Sequence, residues 1–323
     1  MKLQIADRLA ELPFRFRPLE RMRSPTWPLS AADLSRISIA WPTELQWPPA
    51  EQIVQTLKDG FVSLGILGHV HTPQPYEGVI LLHCVIDDTE HKVALDYSDY
   101  HDFINVDALA LSSLYVKCQF RLRGYDNERI VPGGYIATGP DYYRYRQPFV
   151  TRHSTRPSID VLGRFGYAFQ ADLRRRAVDL LGNARDLHFV GAGPKVRYSR
   201  FIKEAASARL CLHLPGNGPF THRVVEFLGL GSCMISPRFA TRLHRPLVPG
   251  VHYVAVADDL TDLVDVCRYY LAHDAEREAI AAAGKEFFDK NLHFEQLASY
   301  LVRTMLDCQM QARHSSRELR GHD

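Results

Sequence analysis

A chain of 323 residues is long enough for two domains of ordinary size, and its 46% hydrophobic and 24% charged content is that of a globular protein, which excludes a disordered or fibrous chain. A formal net charge of +2 excludes a strongly basic nucleic-acid binder, although arginine gathers locally in residues 15–23 and 174–176. The six cysteines have no CxxC pairing or fixed spacing, so buried thiols in a reducing compartment are expected in place of disulfides or a zinc site.

No run approaches the roughly 20 apolar residues that a membrane helix requires, since the longest, residues 79–86, is interrupted by His83. Lys2, Asp7 and Arg8 lie where a signal peptide places its apolar stretch. A cytoplasmic location is the expectation, with peripheral contact the one membrane association left open.

In chain order, Leu3, Ala6, Leu9 and Ala10 fit a helical stripe, and residues 13–27, rich in Pro, Arg and Trp, have no regular period. The spacing of Ile53, Leu57 and Phe61 predicts a helix over residues 49–60. Strand-like runs follow at 62–67, 78–86, 92–96, 108–111 and 129–131. Residues 140–157, polar and containing three prolines, read as the linker between a domain at 1–150 and a second at 151–293.

The second half alternates regularly. Strands are predicted at 158–162, 187–190, 210–214, 233–236 and 253–256, with helices at 171–181, 198–208, 221–230 and 260–271. That order implies right-handed crossovers and a parallel sheet. Helices at 275–290 and 294–310 follow without a strand between them, then a polar tail at 311–323 that is expected to be flexible.

The chemistry concentrates in Leu212-His213-Leu214-Pro215-Gly216-Asn217-Gly218-Pro219-Phe220-Thr221-His222-Arg223-Val224-Val225-Glu226. A glycine loop that opens a helix presents unpaired N–H groups and the positive end of the dipole, which suits a diphosphate. Gly216 and Gly218 allow close backbone approach, and Arg223 in the first turn sits one turn before Glu226 on the same face. Arginine for phosphate and a carboxylate for a vicinal diol together match a nucleoside diphosphate. The plain alternative is an i, i+3 surface ion pair worth about 0.2–0.5 kcal/mol. Gly191-Ala192-Gly193-Pro194 lacks the third glycine of a dinucleotide fingerprint and carries a proline within it, so it reads as a strand-end turn. Arg174, Arg175 and Arg176 read as the solvated face of their helix.

Residues 198–306 resemble the donor-binding half of GT-B glycosyltransferases, especially bacterial family-1-like and exostosin-like members, through Arg223-x-x-Glu226-x-Leu228-x-x-Gly231 and the Asp259-Leu260 turn downstream. The resemblance implies two Rossmann-like domains facing across a cleft, a final helix crossing back to the first domain, and transfer of a sugar from a UDP- or GDP-type donor, with no metal or other cofactor. It implies that Glu226 binds the donor ribose and that Arg223, with Thr221 and His222 beside it, lies near the phosphates. Arg164, after a strand that resembles the family's first donor-domain strand, is a second phosphate candidate. Gly218 stands where retaining members often carry a second carboxylate, which leaves the stereochemical outcome open.

For the acceptor's general base the candidates are Asp99 and His101, in a carboxylate-rich loop after a predicted strand, with His69 and His71 as rivals. Sugar identity, acceptor and oligomeric state are not legible. A sugar-nucleotide epimerase or hydrolase, and a non-catalytic binding protein on the same fold, stay open as alternatives.

Overall fold

The computed structural model describes residues 17–22, 25–45, 50–71, 76–137, 139, 141–150, 158–191 and 196–320, with side chains through Met310. The expected helical stripe at residues 3–10 lies outside the described residues. The chain divides into two compact units, each described by itself.

The amino-terminal unit contains residues 22–136 and two later segments, 241–245 and 290 onward. A short helix α1 (Ala31–Ser35) starts on a capping box, in which Ser30 accepts from the Asp33 N–H and Asp33 accepts from the Ser30 N–H. There follow β1 (Ile37–Pro42), α2 (Ala50–Ser63), β2 (Gly68–His71), β3 (Val79–Ile86), β4 (Thr89–Asp96), α3 (Val106–Leu111), β5 (Leu114–Lys117), β6 (Phe120–Arg121) and β7 (Ile130–Pro132). Six of the strands form one sheet in the order β2-β1-β3-β4-β5-β7.

This sheet departs from the all-parallel pattern of a Rossmann domain. β3 runs antiparallel to both neighbours, while β1 and β2, and likewise β4, β5 and β7, pair in parallel. The cause is local. Asp87 and Asp88, at φ 49° and 63°, make a two-residue primed turn between Ile86 and Thr89, and such a turn joins only antiparallel strands. Arg36 locks it by donating to both carboxylate oxygens of Asp87 at 2.9 and 2.8 Å. One edge of the sheet therefore gathers the carboxyl ends of five strands and the start of β3.

Two expected strands are corrected. Val62 and Ser63 close α2, and the chain turns at Gly65, φ 83°, before β2 begins at Gly68. Residues 108–111 belong to α3, because the Asn105 side chain accepts from the Ala108 N–H and caps a helix there. β1 and β5 were not anticipated, and all four β5 residues are buried.

The carboxy-terminal unit holds α4 (Asp141–Val150), β8 (Ile159–Gly163), α5 (Ala171–Asn183), β9 (Phe189–Gly191), α6 (Tyr198–Ala206), β10 (Ala208–Leu212), α7 (His222–Leu230) and β11 (Cys233–Pro237). After β12 (Thr241–Arg242), which belongs to the amino-terminal unit and pairs there with β6, come β13 (Val254–Val256), α8 (Leu263–Ala272) and α9 (Asp274–Phe287) of the carboxy-terminal unit. Five strands form a sheet in the order β13-β11-β10-β8-β9 with every pairing parallel, as the alternation predicts. Val161, Leu181, Leu210, Ile235, Val254 and Leu263 are buried in its core.

α4 occupies the stretch expected to be a linker. Tyr142, Tyr143, Tyr145 and Arg146 are buried, and Arg146 donates to the Gly229 carbonyl at 3.1 and 2.8 Å and to Glu20 at 2.7 Å. Residues 151–157 lie outside the described residues.

A π turn (Phe288–Leu292) leads into the last helix, α10 (Phe294–Arg320). α10 belongs to the amino-terminal unit and packs on α2, where a Cβ on Gly60 would stand 2.7 Å from the Phe294 carbonyl oxygen and 2.9 Å from the Ala298 Cβ. The helix continues to Arg320, so the segment expected to be a flexible tail from residue 311 is helical through that point. Among the described residues no helix is long and apolar enough to cross a membrane, and all six cysteines are unbridged.

Candidate functional site

At the carboxyl edge of the parallel sheet, β10 runs out at Leu212 into a tight loop in which the Gly216 N–H donates to the Gly218 carbonyl at 3.1 Å. Gly216 is buried, and a Cβ on it would meet the Thr221 methyl at 3.5 Å. Thr221 caps α7 by accepting from the Arg223 N–H at 3.3 Å, and Gly231, at φ 72°, ends the helix. His222 and Arg223 thus occupy the first turn, at the positive end of the dipole.

Arg223 and Glu226 do pair, Nη1 to Oε2 at 2.6 Å, but not as a solvated surface pair. Glu226 is 0% exposed, and its other oxygen accepts from the Tyr198 hydroxyl at 2.6 Å. The Arg223 guanidinium lies 3.6 Å from the centre of the Phe201 ring, a cation–π contact that fixes its plane. Burial, and then the Glu226 charge, push the Tyr198 phenol well above its usual value.

Arg174 is a correction. It is 8% exposed, and its guanidinium donates to the Gly166 carbonyl at 2.6 Å and the Pro215 carbonyl at 2.7 Å. Desolvation holds its pKa below the ordinary arginine value. It ties α5 to the glycine loop, while Arg175, 62% exposed at its side chain, pairs with Asp172 and matches the expected solvated face.

His213 was quoted in the motif but given no role. It is 2% exposed, and its Nδ1 lies 3.0 Å from the Ser236 hydroxyl, which itself donates to the Pro237 carbonyl at 2.8 Å. With the hydroxyl hydrogen so placed, Nδ1 is the donor and Nε2 is left as a buried acceptor with no partner among the described residues. Burial, and then the charges of Arg174, His222 and Arg223, lower its pKa to about 3.

Arg164 follows β8 at the same sheet edge, but its guanidinium is engaged by Glu204 through Nε and, at 3.0 Å, through Nη2. Burial raises the Glu204 pKa, yet hydrogen bonds from Arg164 and Arg200 outweigh it and leave that carboxyl below its usual range.

In the amino-terminal unit, Asp99 and His101 lie on the loop after β4 and are handled differently. Asp99 lines a cavity of about 450 Å³ together with Glu77, Tyr97, Ser98, Tyr100 and Phe103. His101 lies 3.2 Å from Asp102, a carboxylate that also binds Arg121 at 2.8 Å, and it does not line that cavity. His69 is exposed on β2, and His71 stacks on His83 at 3.8 Å, its pKa lowered by burial and then by the His83 charge.

Beneath the loop is a network that the sequence reading did not identify. Asp96 and Lys117 are both wholly buried and meet at 2.8 Å. Asp96 also accepts from the Tyr115 hydroxyl at 2.6 Å, the Ser98 N–H at 2.8 Å and the Ser98 hydroxyl at 2.6 Å. Asp96 and Lys117 are register partners at the ends of β4 and β5, a signal that becomes readable once the strand pairing is known. Among the described residues no three His, Cys, Asp or Glu side chains cluster in the manner of metal ligands.

Residues 167–303 match the model of a family described as glycosyl transferase-like. No curated protein matches the sequence. Among solved structures, Anabaena HepE in complex with UDP and glucose is 12% identical over 66% of this chain and 70% of that one, with a TM-score of 0.41. The pneumococcal O-GlcNAc transferase GtfA in complex with UDP and GlcNAc is 13% identical over 66% of this chain and 48% of that one, with a TM-score of 0.40.

Proposed function

We propose that this chain, whose residues 167–303 match the glycosyl transferase-like family, transfers a sugar from a nucleoside-diphosphate donor held on the carboxy-terminal unit to an acceptor hydroxyl bound by the amino-terminal unit. The observation that carries the reading is the state of Glu226. A carboxylate is held without solvent exposure by Tyr198 and Arg223, one turn into a helix whose capped start and glycine loop stand at the carboxyl edge of a parallel sheet. The guanidinium of the pair keeps partial exposure at the helix start, where a phosphate would be met.

In the proposed reaction the acceptor oxygen bonds to the anomeric carbon as that carbon's bond to the diphosphate oxygen breaks. Arg223 and the first turn of α7 neutralise the charge that develops on the leaving diphosphate. Glu226 accepts from the ribose hydroxyls. Asp99 is the candidate to take the acceptor's proton, with His101 next to it on the loop. Arg164, engaged by Glu204 as Arg223 is by Glu226, is the second phosphate candidate. No protein group beyond these and no metal is invoked for the chemistry.

Calorimetric titration of UDP and GDP into the wild type and the Glu226→Gln variant tests this assignment, with circular dichroism confirming that the variant folds. Losing hydrogen bonds to a charged acceptor, about 1.5–3 kcal/mol, corresponds to roughly ten- to hundredfold weaker binding. A folded Glu226→Gln protein that binds the nucleotide as tightly as the wild type removes the assignment.

A further inference from the structure

Two arginines of the amino-terminal unit, Arg242 and Arg245, lie at the edge of its sheet without a counter-charge. The segment Thr241–Arg245 runs along the carboxyl ends of β5 and β7, for Arg242 is the register partner of Phe120, just past β5, and the His244 N–H donates to the Gly133 carbonyl, just past β7, at 2.8 Å. Ligands of open α/β sheets collect at this edge.

The surroundings are fixed and aromatic. The Tyr300 hydroxyl donates to the Pro132 carbonyl at 2.6 Å, and its ring stacks on His244, with centroids 4.2 Å apart, and lies 5.1 Å from Trp27. Both guanidiniums rest on rings, Arg242 at 5.0 Å from the centre of Phe120 and Arg245 at 4.9 Å from that of Trp27. Such a contact engages the face of a guanidinium and leaves the N–H groups of its rim to bond elsewhere. Burial raises the Tyr300 phenol to about 12, and the charges of Arg245 and Arg242 both oppose that rise, so the two cations act on one hydroxyl.

Neither guanidinium has an ion-pair or hydrogen-bond partner among the described residues, and Arg242 Nε is buried without one. By contrast, Arg36 pairs with Asp87, Arg121 with Asp102 and Arg303 with Asp33, while Arg129 donates to the Ser112 carbonyl. Two cations that no carboxylate neutralises attract an anion. One guanidinium satisfies a carboxylate, whereas a phosphate monoester, with three terminal oxygens and a charge of about −1.5 to −2, occupies both. We propose that Arg242 and Arg245 seat a phosphate group, which in the transfer reaction is carried by the acceptor. The assignment to the acceptor rests on the proposed function; the affinity for phosphate does not.

The test uses the full chain with saturating UDP present, so that the donor site is already occupied. Binding of inorganic phosphate and glucose 1-phosphate is read from phosphorus NMR line broadening, and that of acetate and methyl glucoside from saturation transfer. Both phosphates are expected to bind, and acetate and methyl glucoside to bind roughly tenfold or more weakly. The double variant Arg242→Gln with Arg245→Gln is expected to weaken both phosphates roughly tenfold or more while the UDP dissociation constant, measured by calorimetry, stays unchanged. Arg245 is exposed, so Arg245→Gln alone, expected to weaken them about threefold, decides the matter where the double variant does not fold. Absence of phosphate binding, unaltered phosphate binding in the folded variants, acetate binding as tight as phosphate, or a fall in UDP affinity equal to the fall in phosphate affinity overturns the inference. Sedimentation with phosphatidylcholine vesicles containing phosphatidic acid, if lost in the variants, assigns the phosphate to a lipid; glucose 1-phosphate binding without sedimentation assigns it to a soluble acceptor. Phosphate binding that depends on these arginines in a protein that binds no UDP sinks the transfer reaction and leaves the phosphate site standing.

Discussion

Lys117 Nζ stands 2.8 Å from Asp96 Oδ2 with neither side chain reached by solvent, so the loop that carries Asp99 rests on a buried ion pair. Asp96 takes bonds at both oxygens, from Ser98 at one and from Tyr115 and Lys117 at the other. A carboxylate bonded on every side tolerates burial, whereas the same group short of its cation does not.

Lys117→Met is therefore expected to cost about 3–5 kcal/mol, because it leaves Asp96 buried without its cation. The double variant Lys117→Met with Asp96→Asn is expected to recover much of that loss. Urea denaturation of the single and double variants checks both, and equal stability of the two would show that the pair is not coupled.

Arg174 offers a second test, since its fork joins the Gly166 and Pro215 carbonyls across two segments. Lysine has one ammonium in place of two planar N–H arms and cannot reproduce both bonds. Arg174→Lys is expected to lower stability by about 1–3 kcal/mol and to weaken UDP binding, because the glycine loop loses its brace. Thermal denaturation with and without UDP separates the two effects; a stability loss with unchanged ligand protection would detach the loop from nucleotide binding.

Acid stability follows from two histidines, the buried His213 on the carboxy-terminal unit and the partly buried His244 on the amino-terminal unit. Burial holds His213 at about 3 and His244 at about 4, against an ordinary value of 6.5. Their folded-state pKa values lie below the unfolded one, so between those limits the unfolded chain binds more protons and stability falls as pH falls. Neither contributes a loss above pH 6.5, and the loss saturates below about 4 for His244 and about 3 for His213. Each is expected to add a slope of about 1.4 kcal/mol per pH unit within its window. In urea midpoints taken from pH 7 to pH 4.5, His213→Phe or His244→Phe should flatten the decline by one proton's worth, and an unaltered slope in both would refute the assignment.

Legibility differed between the units for a physical reason. In the carboxy-terminal unit each strand is a short apolar run followed by an amphipathic helix, so the period changes with every element, and the parallel sheet, the glycine loop and the start of α7 all follow from local pattern. In the amino-terminal unit β1, ending in Trp41 and Pro42, and β5, ending in Lys117, carry residues that obscure a strand, and β5 is recognisable only beside β4. α4 reads as a linker because its tyrosines and Arg146 look solvated until their partners Gly229, Glu20 and Phe288 are in place.

By itself the sequence determined the succession of strands and helices in the second half, the capped and glycine-flanked helix bearing Arg223 and Glu226, and the resemblance that goes with them. Those features depend on neighbours within a few residues, which a linear pattern records. Tertiary structure alone decided that Glu226 is enclosed by Tyr198, that Arg174 is a brace and not a solvated charge, that Asp99 lines a cavity while His101 does not, and that Lys117 reaches Asp96. Burial and pairing between residues 21 to 41 positions apart are properties of the packed chain, and no spacing rule encodes them.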